Sequence, residues 1–401
     1  MDQRFRALYN DAFDEALFAE YVGYLSSRVG AFTFRLAETP LFLSRALAQR
    51  LKNDAVAICQ ELAVPETLAK LKQAIPDRYD APNMTALPEC VQVDFALVRN
   101  DQGELVGKVV ELQGFPSLYA LEAMMADAWR EVLSSRAGLD RNWSCLFDGD
   151  RKTGLDRIGR ALLGGEDPEH VAMVDLEPES QKTWPDFAAT KKFFDIEPVS
   201  VMQVIKRGNK LFRAAGGKEI PIKRIYNRLV FDELEVKRVT LPFSWKDDLD
   251  VTWCAHPNWY WAWSKYSLPF LNHPAVPKTR FLSDVHELPE DLSRYVMKPL
   301  FSYAGAGVVV DVTAEEIARV PQADRHNFIL QEKVEYASAI THPTGAGVKA
   351  EVRIMLLADG GSLVPILPLV RLSRGKMLGV DYNRGHDWTG GTVGIWDGNT
   401  L

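Results

Sequence analysis

Lys298 stands at the end of a short apolar run, residues 295–297. A small-residue stretch with Ser302, Gly305 and Gly307 separates it from a second apolar run, residues 308–310. Glycine lets backbone N–H groups approach a ligand without a Cβ in the way. A row of such groups makes an anion-binding concavity, and a lysine at its edge adds a point charge for phosphate. The expected arrangement is strand, glycine loop, strand: a hairpin flap over a nucleotide. It matches neither G-x-x-x-x-G-K-[ST] nor a G-x-G-x-x-G that opens a helix, because the glycines run into Val308-Val309-Val310, which favours strand. An ordinary hairpin turn with a solvated lysine fits this stretch alone equally well.

Residues 91–117 carry a second chemical signal. Segments 91–99 and 105–113 read as strands, and residues 100–104 as a turn by composition. A turn centred near Gln102 and Gly103 sets Asp94 opposite Glu111. Gln113, two residues on, shares their face. Two carboxylates and a carbonyl oxygen are hard donors suited to Mg²⁺, which also takes phosphate oxygens. A solvent-facing polar face is the other reading. Yet both strands have apolar flanks, where an acidic pair is costly without a cation.

Other polar residues recur at informative places. Lys265 follows a tryptophan-rich segment. Phe328-Ile329-Leu330-Gln331-Glu332-Lys333-Val334-Glu335 reads as an apolar strand running into a polar linker. Arg353 lies in a strand-like run, 351–357. Arg228 ends a strand-like run after Tyr226 and Asn227. The last segment offers Arg371, Asn383, Arg384 and the pair Gly390-Gly391.

The chain has 401 residues, enough for two or three domains, with 47% hydrophobic and 25% charged residues, the balance of a soluble globular protein. A net charge of −7 without a basic block argues against a nucleic-acid binder. Cys59, Cys90, Cys145 and Cys254 are far apart in sequence, which fits neither a zinc site nor a disulfide framework and suits a reducing compartment. No signal peptide or membrane-spanning run is evident. A cytoplasmic location without membrane partners is expected.

The elements that must position these residues follow from periodicity. Residues 1–75 read as helices, with Phe13, Leu17, Tyr21 and Leu25, then Leu43, Leu47, Leu51 and Val56, at about helical spacing. Ser117 is the expected cap of a helix to about Ser135. Residues 170–232 alternate strand (171–176, 199–204, 222–230) with helix (184–194), a βαβ pattern that implies a parallel sheet. The aromatics Trp253, Trp259, Tyr260, Trp261 and Trp263 read as core rather than as a base-stacking platform. The expected division is 1–85, a helical region; 86–165, the hairpin and helices; 166–245, an α/β domain; and 246–401, the nucleotide-binding part.

In this order the pieces resemble the ATP-grasp superfamily, in the circularly permuted arrangement of glutathionylspermidine synthase-like proteins. Lys265, then Lys298 with Gly305 and Gly307, then Gln331-Glu332-Lys333-Val334, then Arg353 follow the family's order. The metal set, which usually comes last, appears upstream at Asp94 and Glu111-Leu112-Gln113. The resemblance covers most of the chain from about residue 90 and implies an α/β (α+β) ATP-grasp fold, circularly permuted, with the βαβ segment that ends in Tyr226-Asn227-Arg228, within 166–245, as its preATP-grasp domain. It further implies ATP and Mg²⁺ as cofactors and carboxylate–amine or carboxylate–thiol ligation through an acylphosphate, the substrates being a small acid and an amine. Lys265 and Lys298 would hold the α- and β-phosphates, and Asp94, Glu111 and Gln113 the metal. Arg353 would clamp the γ-phosphate or the acylphosphate. Glu332 with the Lys333-Val334 backbone would read adenine, with Glu335 near ribose. Arg228, Arg371 and Arg384, with Asn383 nearby, would meet the substrate carboxylate, and Gly390-Gly391 would offer backbone N–H groups. Gln113 replaces the family's asparagine, and Val93 stands where related sequences often have arginine. These departures keep open a phosphotransferase or a nucleotide-binding protein without ligase activity. An interaction module using the tryptophans is a third class.

Overall fold

Long apolar runs at Cys90–Arg99, Leu105–Gln113, Gly347–Asp359 and Ser362–Ser373 form the four long strands of a central sheet. The computed structural model describes residues 1–302, 306–375, 383 and 385–398. Across this sheet the order is Leu41–Phe42, Gly390–Asp397, Ser362–Ser373, Gly347–Asp359, Cys90–Arg99 and Leu105–Gln113. The first pairing is parallel and the others are antiparallel. The early hairpin therefore lies directly against the strand that carries Arg353.

The N-terminal region is helical: Gln3–Ala12, Glu15–Val29, Arg45–Leu62 and Pro65–Leu71. Leu17, Tyr21, Leu25, Leu47 and Leu51 join the same buried core as the central sheet. Phe13 does not continue the second helix. Asp14 starts it instead, its carboxylate accepting the Leu17 N–H at 2.7 Å.

A second sheet is wholly parallel, in the order Thr252–Cys254, Arg224–Asn227, Val171–Asp175, Glu197–Ser200. The helix Trp184–Phe194 makes the crossover, as the βαβ pattern implies. Its strands differ in detail from the sequence reading. The edge strand is Glu197–Ser200, where Pro198 is tolerated because an edge leaves backbone groups unpaired. The run 222–230 is divided, because Lys218–Ile222 belongs to a separate meander with Lys210–Ala215 and Ile205–Arg207. Trp259, Trp261 and Trp263 are all buried. The tryptophan-rich segment is core, not an exposed platform. Among the described residues no helix is long and apolar enough to cross a membrane.

A third sheet, Thr279–Phe281, Phe328–Glu332, Tyr295–Pro299, is antiparallel. It corrects the expected flap. Lys298 is indeed on a strand, but that strand pairs with Phe328–Glu332. Val309 makes only a single bridge to Met297. The valine run is cut short by Asp311 and by Thr313, which caps the helix Ala314–Ala318. Gly305 lies outside the described residues.

The helix Tyr119–Ser134 corrects the expected cap at Ser117. Its N-cap is Leu118, at φ 68°, with no cap from its own side chain. The buried carboxylate of Asp186 accepts the N–H groups of Leu118 (3.1 Å) and Leu121 (3.0 Å) instead. An anion at the positive end of a helix is favourable, and here it arrives from another helix. The two N–H groups go to different Asp186 oxygens, and Arg228 shares one of them, so Asp186→Asn keeps an acceptor for only one N–H and leaves the buried Arg228 guanidinium without its counter-charge. We expect it to cost about 3 kcal/mol in urea unfolding.

Candidate functional site

The hairpin register depends on one irregularity. Arg99 pairs with Leu105, and the alignment runs in step to Phe95 with Val109. It then slips by one residue, so that Asp94 faces Glu111 and Gln92 faces Gln113. The turn is therefore centred one half-step earlier than expected, and a bulge at Val110 restores the expected pairing. Without the bulge Glu111 would share the face of Val93, which is fully buried in the core. A bulged residue leaves the ladder, and the Val110 carbonyl accepts the Lys298 ammonium at 2.9 Å. One extra residue thus aims Glu111 and seats Lys298.

The face so formed carries alternating charges. Arg353 pairs across the ladder with Asp94, and Arg371 with Glu351. The Arg353 guanidinium holds Asp94 bidentately, both contacts 2.6 Å, and donates to the Gln92 amide oxygen at 2.7 Å. Arg371 reaches Asp94 at 2.6 Å and also bridges to Glu351. Tyr336 donates to the other Glu351 oxygen at 2.7 Å. Gln92 in turn donates to the Ser117 carbonyl at 2.6 Å. Burial alone would raise the Asp94 carboxyl, but the two guanidiniums hold it below the ordinary carboxylate range. Sequence reasoning missed Gln92, Glu351 and Tyr336. The signal for the first two was present: each lies two residues from a singled-out charge, on the same strand face.

Two lysines approach this face from outside the central sheet. Lys265 lies 3.1 Å from a Glu111 oxygen and donates to the Ser302 carbonyl at 3.0 Å. Lys298 donates to the Gln331 amide oxygen at 2.7 Å, and Gln331 is fixed by its own donation to Thr279 at 3.2 Å. Burial pushes Lys298 down to about 8, with Glu111 opposing the shift and Lys265 adding to it. Among the described residues the buried Ser302 hydroxyl has no hydrogen-bond partner. Gly307 has φ 72°, and a Cβ there would come 3.1 Å from the Pro299 ring. In the segment expected to read adenine, the N–H groups of Glu332 and Lys333 donate to the Lys278 and Arg294 carbonyls, and Lys333 lies 3.6 Å from Asp311. Val334 is partly buried and Glu335 is exposed.

Other expected residues lie apart from this cluster. Arg228 is buried, 2.5 Å from Asp186, with its planar guanidinium 4.6 Å from the Phe187 ring centroid. In this structure it presents no open edge to solvent. Asn383 closes a turn by accepting from the Ser373 hydroxyl and the Arg374 and Gly375 N–H groups. The Gly391 N–H donates to the Arg35 carbonyl, and a Cβ on Gly390 would lie 2.3 Å from that same oxygen. The pair is built for close backbone approach, which corrects its reading as a donor to an intermediate. Arg384 lies outside the described residues.

Asp94, Glu111 and Gln113 share one face, but a different cation meets Asp94. Arg353 and Arg371 supply the positive charge that the sequence argument required. Among the described residues no group of three His, Cys, Asp or Glu side chains is placed to hold a metal ion. A divalent cation on Asp94 would sit against two guanidiniums; Glu111 and Gln113 are the oxygen donors outside that contact, with the Lys265 ammonium 3.1 Å from Glu111.

No family model and no curated protein matches the chain. Among solved structures it is similar to a glutathione synthetase-like effector from Globodera pallida in its apo form. The two share 12% identity at a TM-score of 0.58, over 96% of this chain and 97% of that one. The likeness is one of fold, a mixed α/β architecture with several sheets.

Proposed function

We propose that this protein binds ATP with Mg²⁺ against the charged sheet face and joins a small acid to an amine through an acylphosphate. The observation that carries the reading is Lys298, seated on the bulged Val110 carbonyl with Lys265 and Glu111 beside it. Two ammonium groups next to two arginines form a polyphosphate cradle. The fold likeness to a glutathione synthetase-like protein supports a ligase-type framework. Lys265 and Lys298 hold the α- and β-phosphates, and residues 331–335 hold the adenosine end. Glu111 and Gln113 hold Mg²⁺, which neutralises phosphate charge when bound. Arg371, half-exposed, meets the acid, and Arg353 fixes Asp94 and Gln92 beneath it. Positioning and charge neutralisation carry the rate, so the chain needs no nucleophile of its own.

Turnover with candidate acids and hydroxylamine tests this. A ligase gives ADP, phosphate and a hydroxamate. One observation favours a second reading: both Asp94 oxygens are engaged by arginines. A nucleotide-binding protein without the ligase step would bind ATP and give no hydroxamate. A phosphotransferase would give ADP and a stable phosphorylated product. Either result overturns the ligase reading while leaving the nucleotide site standing.

A further inference from the structure

Cys90 and Cys254 are 164 positions apart in sequence, yet their sulfurs lie 3.9 Å from each other, both buried. They sit at a seam. Cys90 opens its strand of the central sheet, beside Leu357. Cys254 closes its strand of the parallel sheet, beside Tyr226. The backbone on both sides is clipped together by Glu89, whose carboxylate accepts the N–H groups of Ala255 (3.2 Å) and His256 (3.4 Å). The Glu89 carbonyl accepts from Ala358 on the neighbouring strand. Ala255 takes φ 65°, a left-handed conformation unusual for a residue with a Cβ. The chain is thus turned sharply just after Cys254, and the clip holds the turn against Glu89.

We propose that Cys90 and Cys254 are a disulfide-forming pair that covalently joins the parallel sheet to the central sheet when the chain meets a small-molecule disulfide oxidant. A disulfide needs its sulfurs at about 2.05 Å, so the pair must close by roughly 1.9 Å, a movement on the scale of side-chain rotation. The chemistry is thiol–disulfide exchange. One cysteine loses its proton and attacks the oxidant's S–S bond, giving a mixed disulfide and one released thiol. The other cysteine then loses its proton and attacks the protein sulfur of that mixed disulfide, releasing the second thiol. Two cysteine thiols and one oxidant disulfide thus become one protein disulfide and two small thiols. Burial pushes the Cys90 thiol well up, and the neighbouring Cys254 adds to this. The first step therefore belongs to folding, or to excursions that open the Glu89 clip, rather than to the closed protein. Cys59 and Cys145 are buried elsewhere, with thiols pushed up by burial as well. Lys265 follows Cys254 by eleven residues, so the link tethers the segment that brings Lys265 to Glu111.

The test is refolding of the full chain from urea in oxidised and reduced glutathione, then alkylation and non-reducing peptide mapping by mass spectrometry. The expected product links the Cys90 and Cys254 peptides and carries alkylated Cys59 and Cys145. Its melting temperature should exceed that of the reduced protein by roughly 5 °C, a gain that Cys254→Ser abolishes. Recovery of four alkylated cysteines, or of mixed pairings that include Cys59 or Cys145, overturns the assignment. Neither readout depends on nucleotide binding, so this inference and the proposed function fail separately.

Discussion

Lys298→Ala is expected to lower ATP affinity by roughly 100-fold, while the thermal unfolding of the ligand-free protein changes little. The ammonium is held in place by the sheet's own irregularity, through the Val110 carbonyl. Gln331 gives it a second acceptor, which leaves its remaining proton for a phosphate oxygen. Its proton affinity makes the prediction pH-dependent. With Lys298 brought down to about 8, binding is strongest below that value and weakens as pH rises through it. Stability runs the other way. The unfolded lysine keeps its proton to about 10.4. Between about 8 and 10.4 the unfolded chain binds more protons, and the folded state gains as pH rises. Lys298→Arg, always charged, should flatten the pH dependence of affinity. Calorimetric titration with ATP-Mg²⁺ at about pH 7 and pH 9 measures both. Equal affinity for wild type and Lys298→Ala would remove Lys298 from the site.

The strands that carry the site were legible because their composition is extreme. Residues 91–99 and 105–113 nearly coincide with Cys90–Arg99 and Leu105–Gln113, and the predicted helix 184–194 is Trp184–Phe194. What composition could not show is where one backbone group leaves the ladder. The pairing of Asp94 with Glu111 was reached from a turn centred near Gln102-Gly103. The chain reaches it through a tighter register and a bulge. Partners from distant segments were equally hidden. Nothing in the sequence places Asp186 on Leu118, or Arg228 on Asp186, because those contacts depend on how the parallel sheet docks against the helix Tyr119–Ser134. The cost of a buried acid at Asp94 was readable, and so was the need for a cation. The cation's identity was not: Arg353 was assigned to phosphate when its nearest anion is one strand away.

That pair sets the second large effect. Arg353→Met should destabilise the protein by about 3–5 kcal/mol. It removes both bidentate contacts to Asp94 and leaves the Gln92 amide oxygen without its donor. Arg371 remains on Asp94 but is shared with Glu351, so one guanidinium must serve two buried carboxylates. The sign with pH follows from Asp94, whose carboxyl is held below its ordinary value. A lowered folded value means stability that is full above the unfolded carboxylate pKa of about 3.9 and is lost as pH falls through the folded one. With one guanidinium gone the folded value rises, and acid unfolding of Arg353→Met should begin at higher pH than in wild type. The double variant Asp94→Leu with Arg353→Met separates a buried charge left alone from a pair removed together. Replacing both partners with apolar groups of similar size should restore much of the loss, since the desolvation of both charges is relieved. Urea unfolding of the two single variants and the double variant gives the cycle. A loss of under about 1 kcal/mol for Arg353→Met, the range of an exposed pair, would show that the guanidinium does not close on Asp94 in solution and would return that carboxylate to the candidate Mg²⁺ ligands.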